Sequence, residues 1–381
     1  MRRRYVGSLV LLSVAALCLG ALPDTQTASL TQWNMPFAAA FPGGFDLDAN
    51  GMVYVATNSG MSIVRLDPAN DMFRSWGVSE HPQDVVVIDD VVVCTVREAN
   101  QISYLNPNSQ STTTFIIPFP DAHPGELHRG PDTADGKLTF WITEPSVQGV
   151  LRMEYDPTDP PWISGVPSDY QATQRLQSII PSMITAEHEQ FSYNTSLIPD
   201  PFPIAATQIS PPYTEWRLSL GDDRRVEDLA VADDGTLWIS FGTAFLVRLD
   251  PMAGTLQWLE TIQNEAAIFQ GLLPGPDGSV WFGNIVDGSI GHLNPSTGLS
   301  EVWHIPGTIE VYDLAFDADG MIWYTDRVGE MIGRLDPTTN EAIVYTLEPD
   351  SEPLYLAIDA AGDVWFTAGF GNYVGRLSPL P

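Results

Sequence analysis

The sequence predicts an all-β, seven-bladed β-propeller of four-stranded blades, from two recurring phrases and a mismatch between the chain's ends. One phrase recurs at Asp234-Gly235-Thr236-Leu237-Trp238, Asp277-Gly278-Ser279-Val280-Trp281, Asp319-Gly320-Met321-Ile322-Trp323 and Gly362-Asp363-Val364-Trp365. A second follows each copy, at Val247-Arg248-Leu249-Asp250-Pro251, Gly291-His292-Leu293-Asn294-Pro295, Gly333-Arg334-Leu335-Asp336-Pro337 and Gly375-Arg376-Leu377-Ser378-Pro379. The aspartates at 234, 277 and 319 lie 43 and 42 residues apart, the length of a four-stranded blade.

Within a unit, an apolar stretch such as Asp228-Leu229-Ala230-Val231 precedes Asp-Gly and a tryptophan-centred stretch follows it. That pattern predicts strands A and B joined by a turn that needs positive φ. Leu-Asp-Pro ends strand C, because proline donates nothing to a ladder and starts turns. A stretch such as residues 299–306 supplies strand D. Weaker copies at Asn50-Gly51, Asp89-Asp90 and Asp135-Gly136, with third strands ending at Pro68, Pro107 and Pro157, bring the units to seven. The last copy stops without a fourth strand, whereas residues 30–36 form an orphan one near the N-terminus. Docking that strand onto the last blade closes the ring and leaves no long open edge.

The spacing breaks once, between Asp135 and Asp234, 99 residues apart. Residues 158–212 lack the Asp-Gly-Trp phrase and are proline-rich, which predicts an insertion between strands C and D of blade three, with strand D at 213–220. An eroded eighth blade is the alternative. The C–D position places the insertion at the end of the ring opposite the heads of the A strands. There, Leu176, Ile179, Ile180, Met183 and Ile184, at helical spacing broken by Pro181, suit a cap on the channel or a docking segment for a partner.

Met1-Arg2-Arg3-Arg4 followed by an apolar run to Leu22 has the form of a secretory signal. The expected organisation is therefore a signal over 1–28 and one propeller domain over 29–381, in a secreted or periplasmic, extracytoplasmic protein with no membrane association once the signal is cleaved. Cys18 lies in the leader, so Cys94 has no disulfide partner and is expected to pack as a small hydrophobe. The net charge of −31, with Lys137 the single lysine, repels polyanions, which argues against nucleic acid and anionic lipid as partners. A monomer is expected. The tryptophans at 238, 281, 323 and 365 and the arginines at 248, 334 and 376 repeat with the blades and are read as packing residues.

The Asp-Gly-x-x-Trp-Phe-Thr and Ile-Gly-Arg-Leu-Asp-Pro phrases, clearest over 319–337 and 362–379, resemble the virginiamycin B lyase (streptogramin lyase) family of seven-bladed propellers. The resemblance implies elimination that opens a cyclic ester: a histidine removes a proton while Mg²⁺, held by glutamates and a histidine, stabilises the developing oxyanion. The motif it implies is Glu-x-His before strand A and a glutamate after Trp-x-Thr of strand B. Blade three carries both halves, Glu126-Leu127-His128 and Trp141-Ile142-Thr143-Glu144. His128 is then the base and Glu126 and Glu144 metal ligands. The position of the further ligand, from the preceding blade, holds Gln83, with His81 two residues earlier.

The A–B hairpin brings the head of strand A to the end of strand B, so His128 and Glu144 are expected at one end of the ring. A neutral imidazole and a hard cation on carboxylate oxygens suit proton abstraction beside a carbonyl. A structural role competes: Glu126 and His128 lie in a polar loop, and Glu144 has Arg129 and Arg152 within sequence reach. Glu187, His188 and Glu189 in the insertion read as a solvated turn. Two function classes stay open, a Mg²⁺-assisted carbon–oxygen lyase and a non-catalytic propeller that binds a protein, glycan or cell-surface partner. A calcium-dependent lactonase is a third possibility that no spacing selects.

Overall fold

The computed structural model describes residues 28–379 apart from 90, 118–120, 159–162, 165–167, 193–201, 205–206, 210–212, 219–224 and 261–266. The leader expected over 1–28 falls outside these residues except for Ala28. Among the described residues no helix is long and apolar enough to cross a membrane.

Seven antiparallel sheets form the blades, and their A strands contact one another in sequence around a closed ring. Blade one runs Pro42–Leu47, Val53–Thr57, Ser62–Asp67 and Met72–Gly77 as strands A to D. Blade three runs Leu127–Gly130, Leu138–Glu144, Gly149–Tyr155 and Tyr213–Arg217. Positive φ falls on Gly51, Gly136, Gly235, Gly278, Gly320 and Gly362, so six A–B turns use glycine where the backbone is left-handed. A close approach between blades also needs glycine, at Gly271, where a Cβ would stand 2.8 Å from the Asp313 Cα of the next blade.

The core lies between blades. Strand B is buried throughout in every blade, and Trp238, Trp323 and Trp365 keep 2 % exposure or less. Arg334 and Arg376 lie over Trp323 and Trp365, 5.7 and 5.3 Å from the ring centres, so the repeated arginines serve the packing. Cys94 is fully buried.

Ring closure follows the sequence prediction. Ala28–Asn34 pairs with Tyr373–Ser378 of blade seven, and Trp33, fully buried, stacks on Trp365 at 5.4 Å. Its indole donates to Asp71 Oδ1 of blade one at 2.9 Å, so the same residue fixes the seam on both sides.

The insertion departs from expectation. It begins and ends in blade three, but its described residues neither cap the channel nor form a helix. It runs once around the outer rim and adds a fifth strand to every blade. Ile163–Ser164 pairs on blade two, Ser168–Gln171 on blade one, Thr173–Ile179 on blade seven and Ser182–Thr185 on blade six. Glu187–Ser192 follows on blade five, Phe202–Pro203 on blade four and Thr207–Ile209 on blade three. Each D strand presents unpaired N–H and C=O groups at its outer edge, and extended segments satisfy them where a helix would not. The apparent helical spacing of Leu176 to Ile184 is therefore two strands broken at Ile180 and Pro181. Leu176 and Met183 are left 70 % and 69 % exposed.

Candidate functional site

The heads of the A strands line the central channel with acid. Asp84 Oδ2 accepts the Leu127 N–H of blade three, Asp228 Oδ2 that of Leu272 in blade five, and Asp313 Oδ2 that of Leu356 in blade seven, each at 2.8 Å. Asp46 Oδ2 accepts from Val87 of blade two at the same distance. Each carboxylate thus ties one innermost strand to the next. Burial dominates their protonation: it pushes Asp46 and Asp228 up to about 6 and Asp84 and Asp313 up to about 7, against the backbone hydrogen bonds that favour the charged form.

Glu126 occupies the same repeat position in blade three but reaches across the channel, where its Oε1 accepts the Tyr355 hydroxyl of blade seven at 2.9 Å. Burial first, then the neighbouring aspartates, pushes its carboxyl well above the usual range. Tyr312 packs edge-on against Tyr355 at 5.6 Å. His128, two residues further along in strand A of the same blade, faces the same space, and its Nε2 is buried without a partner. Desolvation holds the imidazole down to about 4, so the ring is neutral at physiological pH. These groups, with Gln270, whose Oε1 is also buried and unpartnered, surround a cavity of about 390 Å³.

Glu126 and His128 therefore share one cavity, and Glu144 stands apart from it. Glu144 has 0 % exposure, and neither carboxylate oxygen has a hydrogen-bond partner. It leans over Gly149 toward strand D: a Cβ on Gly149 would lie 3.1 Å from Glu144 Oε2 and 3.7 Å from Glu215 Oε1. Burial, reinforced by Glu215, pushes Glu144 up to about 8, against the pull of Arg217. The arginines in sequence reach go elsewhere, Arg129 to Asp132 and Arg152 to Glu154. His81 places Nδ1 3.2 Å from Asn58 Oδ1, and neither it nor Gln83 lines the cavity.

Mg²⁺ requires several oxygen ligands in near-octahedral array. Among the described residues no three His, Cys, Asp or Glu side chains converge to hold a metal ion. With Glu144 beside Glu215 and Glu126 on Tyr355, this arrangement does not present the ligand set that the sequence motif implies.

The tyrosines and aspartates of the channel lie outside that motif. A signal for three of them existed, because Asp84-Val85, Asp228-Leu229 and Asp313-Leu314 open strand A in alternate blades. The insertion's His188 is likewise placed by a strand rather than a turn. It stacks on Trp303 at 4.5 Å, with Nε2 3.2 Å from Glu301 Oε1.

Residues 213–380 match the model of the virginiamycin B lyase family. No curated protein gives a sequence match. Among solved structures, a streptogramin B lyase superposes with TM-score 0.67 at 18% identity, covering 94% of this chain and 100% of that one. A catalytically inactive virginiamycin B lyase from Staphylococcus aureus with quinupristin also gives 0.67, at 17% identity, over 92% of this chain and 99% of that one. The extracellular domain of a hybrid two-component system from B. thetaiotaomicron gives 0.56 at 13% identity, covering 91% of this chain and 41% of that one. At these identities the likeness is one of fold, the seven-bladed propeller typified by the streptogramin lyases.

Proposed function

We propose that this chain is an extracytoplasmic propeller that seats a small polar ligand in its central cavity, over Glu126 and His128. The carrying observation is the convergence there of five carboxyl groups, two tyrosines, Gln270 and a neutral imidazole with a free nitrogen. Buried polar groups left without partners are matched by a ligand that supplies them. With Asp46 and Asp228 largely ionised at neutral pH and Arg129 of the lining already paired with Asp132, the cavity suits a neutral or cationic molecule rather than an anion. The leader-like N-terminus supports export, and the likeness to an extracellular domain is compatible with it.

A second reading is the carbon–oxygen lyase, favoured by the presence of Glu126 and His128 in one cavity. In it, neutral His128 takes a proton from the carbon beside the ester while the carbon–oxygen bond breaks and the ring opens. Mg²⁺ would supply charge stabilisation to the oxyanion, and its involvement requires Glu144 to leave the side of Glu215.

One experiment separates the two. Quinupristin is incubated with the protein and with His128→Ala, in Mg²⁺ or chelator, then followed by mass-resolved chromatography and by equilibrium binding. Binding without conversion supports the first reading. A new peak of unchanged mass that requires His128 establishes the lyase and overturns the non-catalytic reading, whereas a gain of one water indicates hydrolysis. Neither binding nor conversion removes cyclic depsipeptides from both readings.

A further inference from the structure

At the opposite end of the ring, the blades are not equivalent. In blade six the carboxylate of Asp317 ends strand A, and its Oδ2 accepts both the Trp323 indole N–H and the Arg334 Nε–H, each at 2.9 Å. Blade seven repeats the first half, with Asp359 Oδ2 2.9 Å from Trp365 Nε1. Blade four has Ala232 at this position and blade five has Gly275. The turn aspartates Asp234 and Asp277 cap the Thr236 and Ser279 N–H groups instead. Blade five also replaces the arginine by His292, which turns its Nδ1 to Glu301 at 3.0 Å.

Two omitted carboxylates and one shortened side chain leave a groove of about 770 Å³ beneath blades four to six. Into it face Trp238 and Trp281, whose indole N–H groups lack the acceptor that Trp323 and Trp365 possess. Arg248 also lines it, with Nε buried and unpartnered and only Nη2 near a carboxylate, 3.4 Å from Asp234 Oδ2. Arg376 Nε in blade seven lacks a hydrogen-bond partner too, but there Asp359 answers the tryptophan.

We propose that this groove binds a neutral, hydroxyl-rich ligand, a saccharide, with its oxygens in the place of the missing aspartate. Charge selects the class. Arg248 is the single cationic side chain of the lining against Asp233, Asp234, Asp277 and Asp317, so a free carboxylate or phosphate meets net repulsion. A simple cation would leave the guanidinium and both indoles without an acceptor. A sugar hydroxyl accepts from Arg248 and Trp238 and donates to Asp234 or Asp277, answering both sets. The groove opens at the A–B turns, the end of the A strands away from Glu126; it adjoins the cavity at Val231 and Pro274 but contains neither Glu126 nor His128, so it does not rest on the cavity reading.

The test uses the folded chain and a panel of neutral mono- and disaccharides that includes glucose, galactose, N-acetylglucosamine, maltose, cellobiose and trehalose. Binding is followed by ligand-observed NMR and tryptophan fluorescence. Ala232→Asp restores the carboxylate that blades six and seven carry and fills the groove, while Arg248→Met removes the cation but keeps the stem over Trp238. The expected result is saturable binding of at least one sugar, weakened about tenfold or more by each variant and unchanged by His128→Ala. Binding that survives both groove variants overturns the proposal. So does an absence of binding across the panel, or preferential binding of a cationic probe such as choline.

Discussion

Replacing Glu144 by Gln tests whether a carboxyl group is buried without a partner at the top of blade three. In the folded protein its pKa is pushed from 4.5 up to about 8, chiefly by desolvation. A raised folded pKa contributes stability below the unfolded value and loses it as pH climbs through the folded one. The window therefore runs from pH 4.5 to about 8. At about 1.4 kcal/mol per unit, holding the proton costs the wild type about 1 kcal/mol at pH 5, about 3 at pH 7 and about 4 at pH 8. The amide has similar shape and no proton to gain, so its own burial cost does not vary with pH. Urea unfolding of both proteins at pH 5 and pH 8 reads the difference. The Glu144→Gln variant is expected to gain about 3 kcal/mol on the wild type between those two values. A difference that stays flat with pH would show that Glu144 is solvated or ion-paired in the folded state, and the geometry around Gly149 would then be wrong. Added Mg²⁺ that stabilises only the wild type at pH 8 would instead support the lyase reading.

Trp33→Ala removes a fully buried side chain, its stack on Trp365 and the bond to Asp71. It should cost about 3–5 kcal/mol in chemical denaturation, and a loss under about 1 kcal/mol would mean the closing strand is dispensable. His128 should titrate near 4 by imidazole NMR, and a midpoint at its ordinary value would place water freely in the channel. Replacing residues 158–212 by a short turn bares seven D-strand edges, so oligomers are expected by light scattering; a stable monomer would deny the rim segment that protective role. Cys94 should resist Ellman's reagent until the protein unfolds, and rapid reaction in the folded state would contradict its complete burial.

The blade count, the strand boundaries and the ring closure were legible because each blade solves the same packing problem with the same residues. Gly235, Gly278 and Gly320 mark left-handed turns, and Trp238, Trp323 and Trp365 mark the filled space between sheets. The site was legible only as far as backbone direction carries. Register places Glu126 and His128 on the innermost strand, but it does not say that Glu126 reaches across the ring to Tyr355. That contact joins residues 229 apart in sequence. Nor does it say which way Glu144 leans. The answer depends on Gly149 leaving room and on Glu215 and Arg217, which arrive from the far side of the insertion.

The rim segment was illegible for a different reason. A strand that pairs along one edge and faces solvent elsewhere has no buried face to impose alternation on its residues, and Thr173–Ile179 is exposed at five of seven positions. Its placement is nonetheless specific in one respect. Among the described pairings, its longest ladder, seven residues from Ala28↔Ile179 to Asn34↔Thr173, falls on the closing strand of blade seven. That strand is held to its blade by pairing and packing without a short covalent turn, so it is the seam at which the ring would open. Backbone hydrogen bonds of about 1 kcal/mol each add up there more than on any other blade. Because both ends of the segment are rooted in strands C and D of blade three, peeling it from the seam requires lifting a loop tethered on both sides. The insertion therefore reinforces the junction that the four-stranded plan leaves weakest.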